Sequence, residues 1–188
     1  MAERPTLLID VDGVLNPGRH RGAGFTVHQL QPTGWTRTLS VALNPAHGAM
    51  LLEFAAANGV ELVWATTWVD DANTMIGPVI GLPELPVVPI PMLPRRGPDS
   101  VLSIGAWKAQ HVAAWAGLQR RFVWLDDEHN VASQLEKRRK AGEVGAHLVI
   151  QVSPKSGLRD RHLAKAAQWF AQNGTPASCH DAKEQAGG

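Results

Sequence analysis

Four short runs of the chain are apolar without the period-two alternation of a half-exposed strand. They are Thr6-Leu7-Leu8-Ile9, the stretch VELVWATTW that closes near Thr66, RFVWL at 121–125, and HLVIQV at 147–152. A strand that is apolar on both sides is covered on both faces. Segments with helical character separate the four runs. Strands alternating with helices imply a parallel sheet packed between two helical layers, so the expected fold is a three-layer α/β/α Rossmann-like domain. In such a sheet, ligands bind beyond the carboxyl ends of the strands. Those ends are where chemistry is to be sought.

The first run passes straight into Asp10-Val11-Asp12-Gly13, the second into Thr66, and the third into Asp126-Asp127. Two carboxylates close together raise the cost of ionising each other. A cation or a proton-transfer role is the usual compensation. Lys108 lies on a predicted helix between the second and third strands and is able to reach the same place if those strands are neighbours.

The remaining segments fill in around this frame. Residues 13–24, GVLNPGRHRGAG, read as a loop. Phe25 to His28 and Trp35 to Val41 flank LQPTG and read as a β-hairpin. Asn44 caps a helix with Pro45 at its first position, and Gly59 ends it. VDDANTMIG reads as a short helix, and Val87 to Ile90 as one short strand within the proline-rich stretch 77–98. SIGAWKAQHVAAWAG, with Ser103 as a cap, NVASQLEKRRKAG and GLRDRHLAKAAQWFAQ are helices. Residues 1–172 are expected to form one domain, and 173–188 a disordered tail.

Composition sets outer bounds. The 188 residues suit one domain, and a formal net charge of +1 does not by itself argue for a nucleic-acid partner. Cys179 is the single cysteine, so no intrachain disulfide forms. The N-terminus has too short an apolar run for a signal peptide, and no stretch approaches the roughly 20 residues of a membrane span. A soluble cytoplasmic protein without membrane contact is the expectation.

The order Asp-x-Asp, Thr, Lys, Asp-Asp resembles the haloacid dehalogenase-like (HAD) superfamily of phosphohydrolases over about residues 6–153. Asp10-Val11-Asp12-Gly13-Val14 matches the first motif of that superfamily. Thr66, with Thr67 as close competitor, matches the second, Lys108 the third, and Asp126-Asp127 the fourth. The hairpin after the first motif looks like the family's flap. The gap between the second and third motifs is too short and proline-rich for a large cap, so a capless member is expected. Receiver domains also gather acids, Thr and Lys on a parallel sheet. They place two adjacent acids after the first strand, however, and their phospho-accepting Asp in mid-chain, where none is found in that role here.

The resemblance implies a phosphomonoesterase dependent on Mg²⁺. Asp10 and Asp126 would be carboxylate ligands, with the Asp12 main-chain carbonyl a third and Asp127 orienting a metal-bound water. Asp10 would attack phosphorus and form an aspartyl-phosphate. Asp12 would give a proton to the leaving oxygen and later take one from water. Thr66 would hydrogen-bond a phosphoryl oxygen and Lys108 would neutralise the phosphate.

Plainer roles compete with each of these. Asp10 and Asp12 suit a turn, Asp126 suits a helix N-cap, Thr66 is a β-former, and a lysine on a helix is usually solvated. Thr67, Trp68 and Arg19 are candidates for contact with substrate, Trp68 by stacking on a base. Arg19-His20-Arg21 and Lys137-Arg138-Arg139-Lys140 would serve a nucleic-acid end-processing phosphatase of the repair type, although a solvated loop and a charged helix face explain them as well. Cys179-His180 offers too few ligands for a metal. A non-catalytic binding member would be expected to lack Asp10 or Asp12, and both are present.

Overall fold

The computed structural model describes residues 4–18, 22–94 and 97–173. The chain runs from β1 (Thr6–Ile9) through a hairpin, β2 (Thr26–Leu30) and β3 (Leu39–Leu43), into α1 (Ala46–Asn58). β4 (Glu61–Trp64) follows, then a π-helical turn at Ala72–Ile76 that runs into the one-turn α2 (Gly77–Ile80). A 3₁₀ turn at Pro98–Val101 leads to α3 (Ile104–Ala116), β5 (Phe122–Asp126), α4 (Val131–Lys140), β6 (His147–Gln151) and α5 (Asp160–Asn173). The four core strands are parallel in the order β4-β1-β5-β6, while β2 and β3 pair antiparallel outside that sheet.

Successive strand residues point to opposite faces, and here both faces are buried. Leu7, Ile9, Trp64, Val123 and Leu125 pack with Leu51 and Phe54 of α1 and with Leu163 and Phe170 of α5. Leu8, Val63, Phe122 and Trp124 pack with Trp107 and Val112 of α3 and with Leu135 of α4. This is the physical reason the sequence shows no alternation. Leu7, Leu8 and Ile9 are fully buried, each contributing about 1.5–3 kcal/mol, and β1 is paired on both sides. Whatever follows β1 is therefore held on the most constrained strand of the sheet.

The chain connects β1 toward β4 on one side and β5 toward β6 on the other. The crevice between β1 and β5 is thus the point where the winding reverses, the usual ligand position in such folds. No large cap covers it among the described residues.

Local signals behave as their chemistry dictates. Ser103 Oγ accepts a hydrogen bond from Ala106 N (3.2 Å) and caps α3; the N-cap of α1 is Pro45, not the expected Asn44, whose Oδ1 accepts from Ala46 N (3.0 Å) one residue ahead of it. Gly59 ends α1 in the left-handed region at φ 62°. Gly48 lies where a Cβ would run into the main-chain carbonyl of Ile80, so its missing side chain lets α1 approach α2.

Some expectations shift. The second hairpin strand begins at Leu39, and Trp35 falls in the connecting loop, partly exposed. Val87 to Ile90 makes only a single bridge, Val87 beside Trp64, through Trp64 N to Pro86 O (2.9 Å) and Val88 N to Trp64 O (2.8 Å). Pro89 and Pro91 lack the N–H that would extend it. The segment 72–76, expected as an ordinary short helix, is π-helical. Asn73 clasps it to the neighbouring chain: its Oδ1 accepts from Trp64 Nε1 (2.8 Å) and Leu85 N (2.9 Å), and its Nδ2 donates to Leu85 O (2.8 Å). Arg19, His20, Arg21, Cys179 and His180 lie outside the described residues, as does the tail beyond Asn173. No helix among the described residues is long and apolar enough to cross a membrane.

Candidate active site

Asp10 follows β1 while the main chain is still tied to its neighbours. Asp10 N donates to Leu125 O (3.1 Å), and Ala65 N donates to Ile9 O (2.9 Å). The carboxylate is almost fully buried. Its Oδ1 accepts from Val11 N (2.8 Å) and its Oδ2 from Lys108 Nζ (2.5 Å). The same ammonium pairs with Asp126 Oδ2. Lys108 is itself buried on α3 and lies 5.6 Å from the centre of the Trp124 ring. The solvated-lysine alternative is thereby excluded.

Asp126 ends β5 with no exposure, and its Oδ1 accepts from Glu128 N (2.9 Å). It does not cap α4, which begins only at Val131. Carboxylate oxygens of Asp10, Asp126 and Asp127 lie within 4.8 Å of one another. Gly13 makes this possible. Its φ of 73° suits glycine, and a Cβ there would collide with the Asp127 carboxylate.

The electrostatics record crowding. Burial pushes the Asp10 carboxyl up to about 7, against the pull of Lys108 and with help from Asp126. Asp126 is likewise raised by burial, and Asp127 rises to about 6 through burial and the nearby Asp10. Burial alone would lower Lys108, but Asp10 and Asp126 hold it above its ordinary value. Fully ionised, the three carboxylates would face one ammonium with two negative charges uncompensated, and without a cation Asp10 and Asp127 retain protons instead.

Asp12 stands apart from this cluster. Its residue is exposed, its Oδ1 accepts from Asn16 Nδ2 (2.8 Å), and its Oδ2 accepts from Trp68 Nε1 (2.9 Å). Asn16 Oδ1 accepts in turn from Ala42 N on β3 (2.8 Å), so one asparagine joins Asp12 to the flap hairpin. Asn16 was not singled out by sequence. Its only signal is its place four residues after Asp12 in the loop that follows β1.

Thr66 is fully buried two residues beyond β4, and its Oγ1 accepts from Trp68 N (3.4 Å). Thr67 is exposed and lines a cleft of about 360 Å³ together with Asp12, Trp35, Trp68, Asp70 and Met92. Thr66 is therefore on the buried side of the chain that leaves β4 and Thr67 on the open side. Trp68 is buried by its surroundings yet is one of the residues that line the cleft. Immediately after it, Val69 adopts φ 48°. That conformation costs a β-branched residue about 1–3 kcal/mol and persists only where the surroundings enforce it. At the outer edge, Asp71 accepts from both Thr33 N and Thr33 Oγ1 (2.7 Å each), tying the hairpin loop to the segment after Trp68.

Lys137 to Lys140 lie in the last turn of α4, at the end that leads back toward the amino edge of the sheet and away from the cleft. Arg138 pairs with Glu143 (2.7 Å), Arg139 with Glu136 (2.8 Å) and Lys140 with Glu136 (3.9 Å). Their positive charge also suits a helix carboxyl end. This is a charged helix face.

A search of curated proteins returns no match. Residues 6–163 match the family described as the HAD domain in Swiss Army Knife RNA repair proteins. The match runs from the first residue of β1 into α5 and takes in every acid of the cluster and the lysine between them. The chain belongs to this family of HAD domains.

Proposed function

We propose that the chain is a Mg²⁺-dependent phosphomonoester hydrolase that works through an aspartyl-phosphate on Asp10. The observation that carries this reading is the buried Asp10 in contact with Lys108, beside Asp126 and Asp127 and two residues before an Asp12 turned toward the cleft. The donor set fits the metal. Three carboxylates offer hard oxygen ligands, which Mg²⁺ prefers, and the two uncompensated negative charges equal the charge of one divalent ion. Asp10, Asp126 and Asp127 would hold it. When bound, the ion would neutralise phosphate charge and permit approach of a carboxylate to a phosphoryl group.

The residues of the chain then divide the work. Asp10 attacks phosphorus as the bond to the leaving oxygen breaks, and the proton of Asp12 goes to that oxygen. In the second half Asp12 takes a proton from water, the water oxygen bonds to phosphorus, and the bond to Asp10 breaks to release inorganic phosphate. Lys108 holds Asp10 in place and places a positive charge beside the phosphoryl oxygens, while Thr66 donates its hydroxyl to one of them. Burial of Asp10, Thr66 and Lys108 keeps these interactions out of water, where they are strongest.

The family description favours a phosphorylated RNA end as the substrate class. A cleft walled by Trp35, Trp68 and Met92 has the aromatic and apolar surface on which a base stacks. The test is a turnover screen over end-phosphorylated oligoribonucleotides, free nucleotides, phosphopeptides and sugar phosphates, with Mg²⁺ and with chelator. Release of phosphate only with Mg²⁺, highest on the oligoribonucleotides and lost in Asp10→Asn, is the expected result. Undiminished turnover in Asp10→Asn would rule out the aspartyl-phosphate.

A further inference from the structure

We propose that Trp68 is a positioning residue for Asp12 and couples occupancy of the cleft to proton donation, an inference that rests on the phosphatase reading above. One edge of its indole donates to Asp12 Oδ2 (2.9 Å), and both residues line the same cleft, where the phosphatase reading places the leaving group. Asn16 Nδ2 holds the other oxygen of Asp12 (2.8 Å), and Asn16 is anchored in turn to Ala42 of the flap. Asp12 is otherwise an exposed side chain on a loop. Two directed hydrogen bonds select one rotamer of it out of those a free aspartate would sample.

The main chain that carries the indole is held on both sides. Trp68 N donates to Thr66 Oγ1 (3.4 Å), Asp71 N donates to Trp68 O (3.0 Å), and Val69 after it is fixed at φ 48°. A leaving group seated against the ring therefore meets an acid whose Oδ2 is aimed from the same wall. In the transfer step, the proton leaves Asp12 for the leaving oxygen as that oxygen takes the electron pair of the breaking P–O bond. The Trp68 N–H stays on its nitrogen throughout and donates to Oδ2 of the carboxylate that the transfer leaves behind. Placement of the acid, and not a further proton, is what Trp68 supplies.

The proposal separates N–H from ring. Trp68→Phe keeps an apolar ring in the wall and removes the donor. With the full chain and Mg²⁺, kcat on an alkyl phosphate, an oligoribonucleotide bearing a terminal phosphate, should fall about tenfold, a part of the 10²–10⁴ that general-acid catalysis supplies. The KM should change little. An activated aryl phosphate, whose leaving group needs no proton, should retain its kcat within about twofold by the same reasoning. Asn16→Ala should show the same split. Equal losses on both esters, or none on either, would overturn the proposal.

A second readout does not depend on turnover. In chain labelled at the tryptophan indoles, the N–H resonance of Trp68, identified by its loss in Trp68→Phe, should move when Asp12→Ala removes its acceptor. It should also move when a nucleoside is added to the wild type as a leaving-group probe. A resonance indifferent to Asp12→Ala would overturn the proposal even in a fully active enzyme. An Asp10→Asn variant that stayed active would instead remove the aspartyl-phosphate on which the phosphatase reading rests and leave the indole result standing on its own.

Discussion

Lys108 Nζ and Asp10 Oδ2 meet at 2.5 Å across 98 residues of sequence, both almost fully buried at the carboxyl end of the sheet. The same ammonium serves Asp126, so one side chain on α3 holds the ends of two adjacent strands together. Removing one partner of a buried pair leaves the other charge uncompensated, typically at a cost of about 3–5 kcal/mol. Lys108→Met should therefore lower the stability of the metal-free chain by that order. Mg²⁺ should recover more of the loss in the variant than it adds to the wild type. Thermal melts with chelator and with Mg²⁺ measure both, and a variant that melts like the wild type in chelator would refute the pairing argument.

The raised acids give a pH dependence of defined sign. In the folded, metal-free chain Asp10 keeps its proton up to about 7 and Asp127 up to about 6, whereas an unfolded aspartate releases it near 4. Between those values the folded state binds more protons than the unfolded one, so stability falls as pH rises from about 4 to about 7. His47 and His162, held low by burial, push the other way on the acid side. The contrast with Asp10→Asn isolates the carboxylate. In chelator that variant should gain on the wild type as pH rises through this window, with about 2–4 °C in Tm for each kcal/mol. A difference curve flat from pH 4 to 8 would contradict it.

Gly13→Ala tests the approach of Asp127. The new methyl group would meet the Asp127 carboxylate at a φ that disfavours any side chain. Overpacking and strain of this kind cost about 1–3 kcal/mol. The larger effect should fall on Mg²⁺ affinity, because the clash displaces one acid of the cluster. A Mg²⁺ titration of turnover should shift to higher concentration with little change in kcat at saturation. An unchanged titration would place Asp127 outside the metal shell.

Gly48→Ala serves as a control for stability without chemistry. The obstruction is the main-chain carbonyl of Ile80, which cannot rotate aside. A loss of about 1–3 kcal/mol is expected, with kcat at saturating substrate unchanged in the folded fraction. A chain as stable as the wild type would mean that α1 and α2 separate easily.

Much of the fold was legible because the core strands are unusually plain. β1, β4 and β5 are buried on both faces, and each carries its polar residue at or just beyond the carboxyl end, so strand ends and site positions coincide in the sequence. Asp10, Thr66, Lys108 and Asp126 were locatable for that reason, by order along the chain and a knowledge of where parallel sheets bind. The hairpin was legible in kind but not in register. Pro32, Gly34 and the β-branched residues around Trp35 suit a strand or a loop equally, and packing decided between them. Asn16 left no usable signal, since an asparagine before a proline reads as an ordinary turn. Its partner on β3 is 26 residues away, and only the folded flap brings them together. The π-helical turn at 72–76 was hidden for a similar reason: Asn73 is held by Trp64 and Leu85, neither of which a local reading connects to it.

The tie between Thr33 and Asp71 has a consequence for how such a chain can diversify. It joins the flap loop to the segment after Trp68 at a single point, whereas the acids and Lys108 hang from the sheet and α3. The shape of the mouth is therefore written in two surface loops, and the reaction in the strands beneath. Residues added between Gly34 and Thr38 would redraw the outer wall while the tie keeps the inner one in register with Asp12. A lineage built on this plan can change its diet without relearning its chemistry.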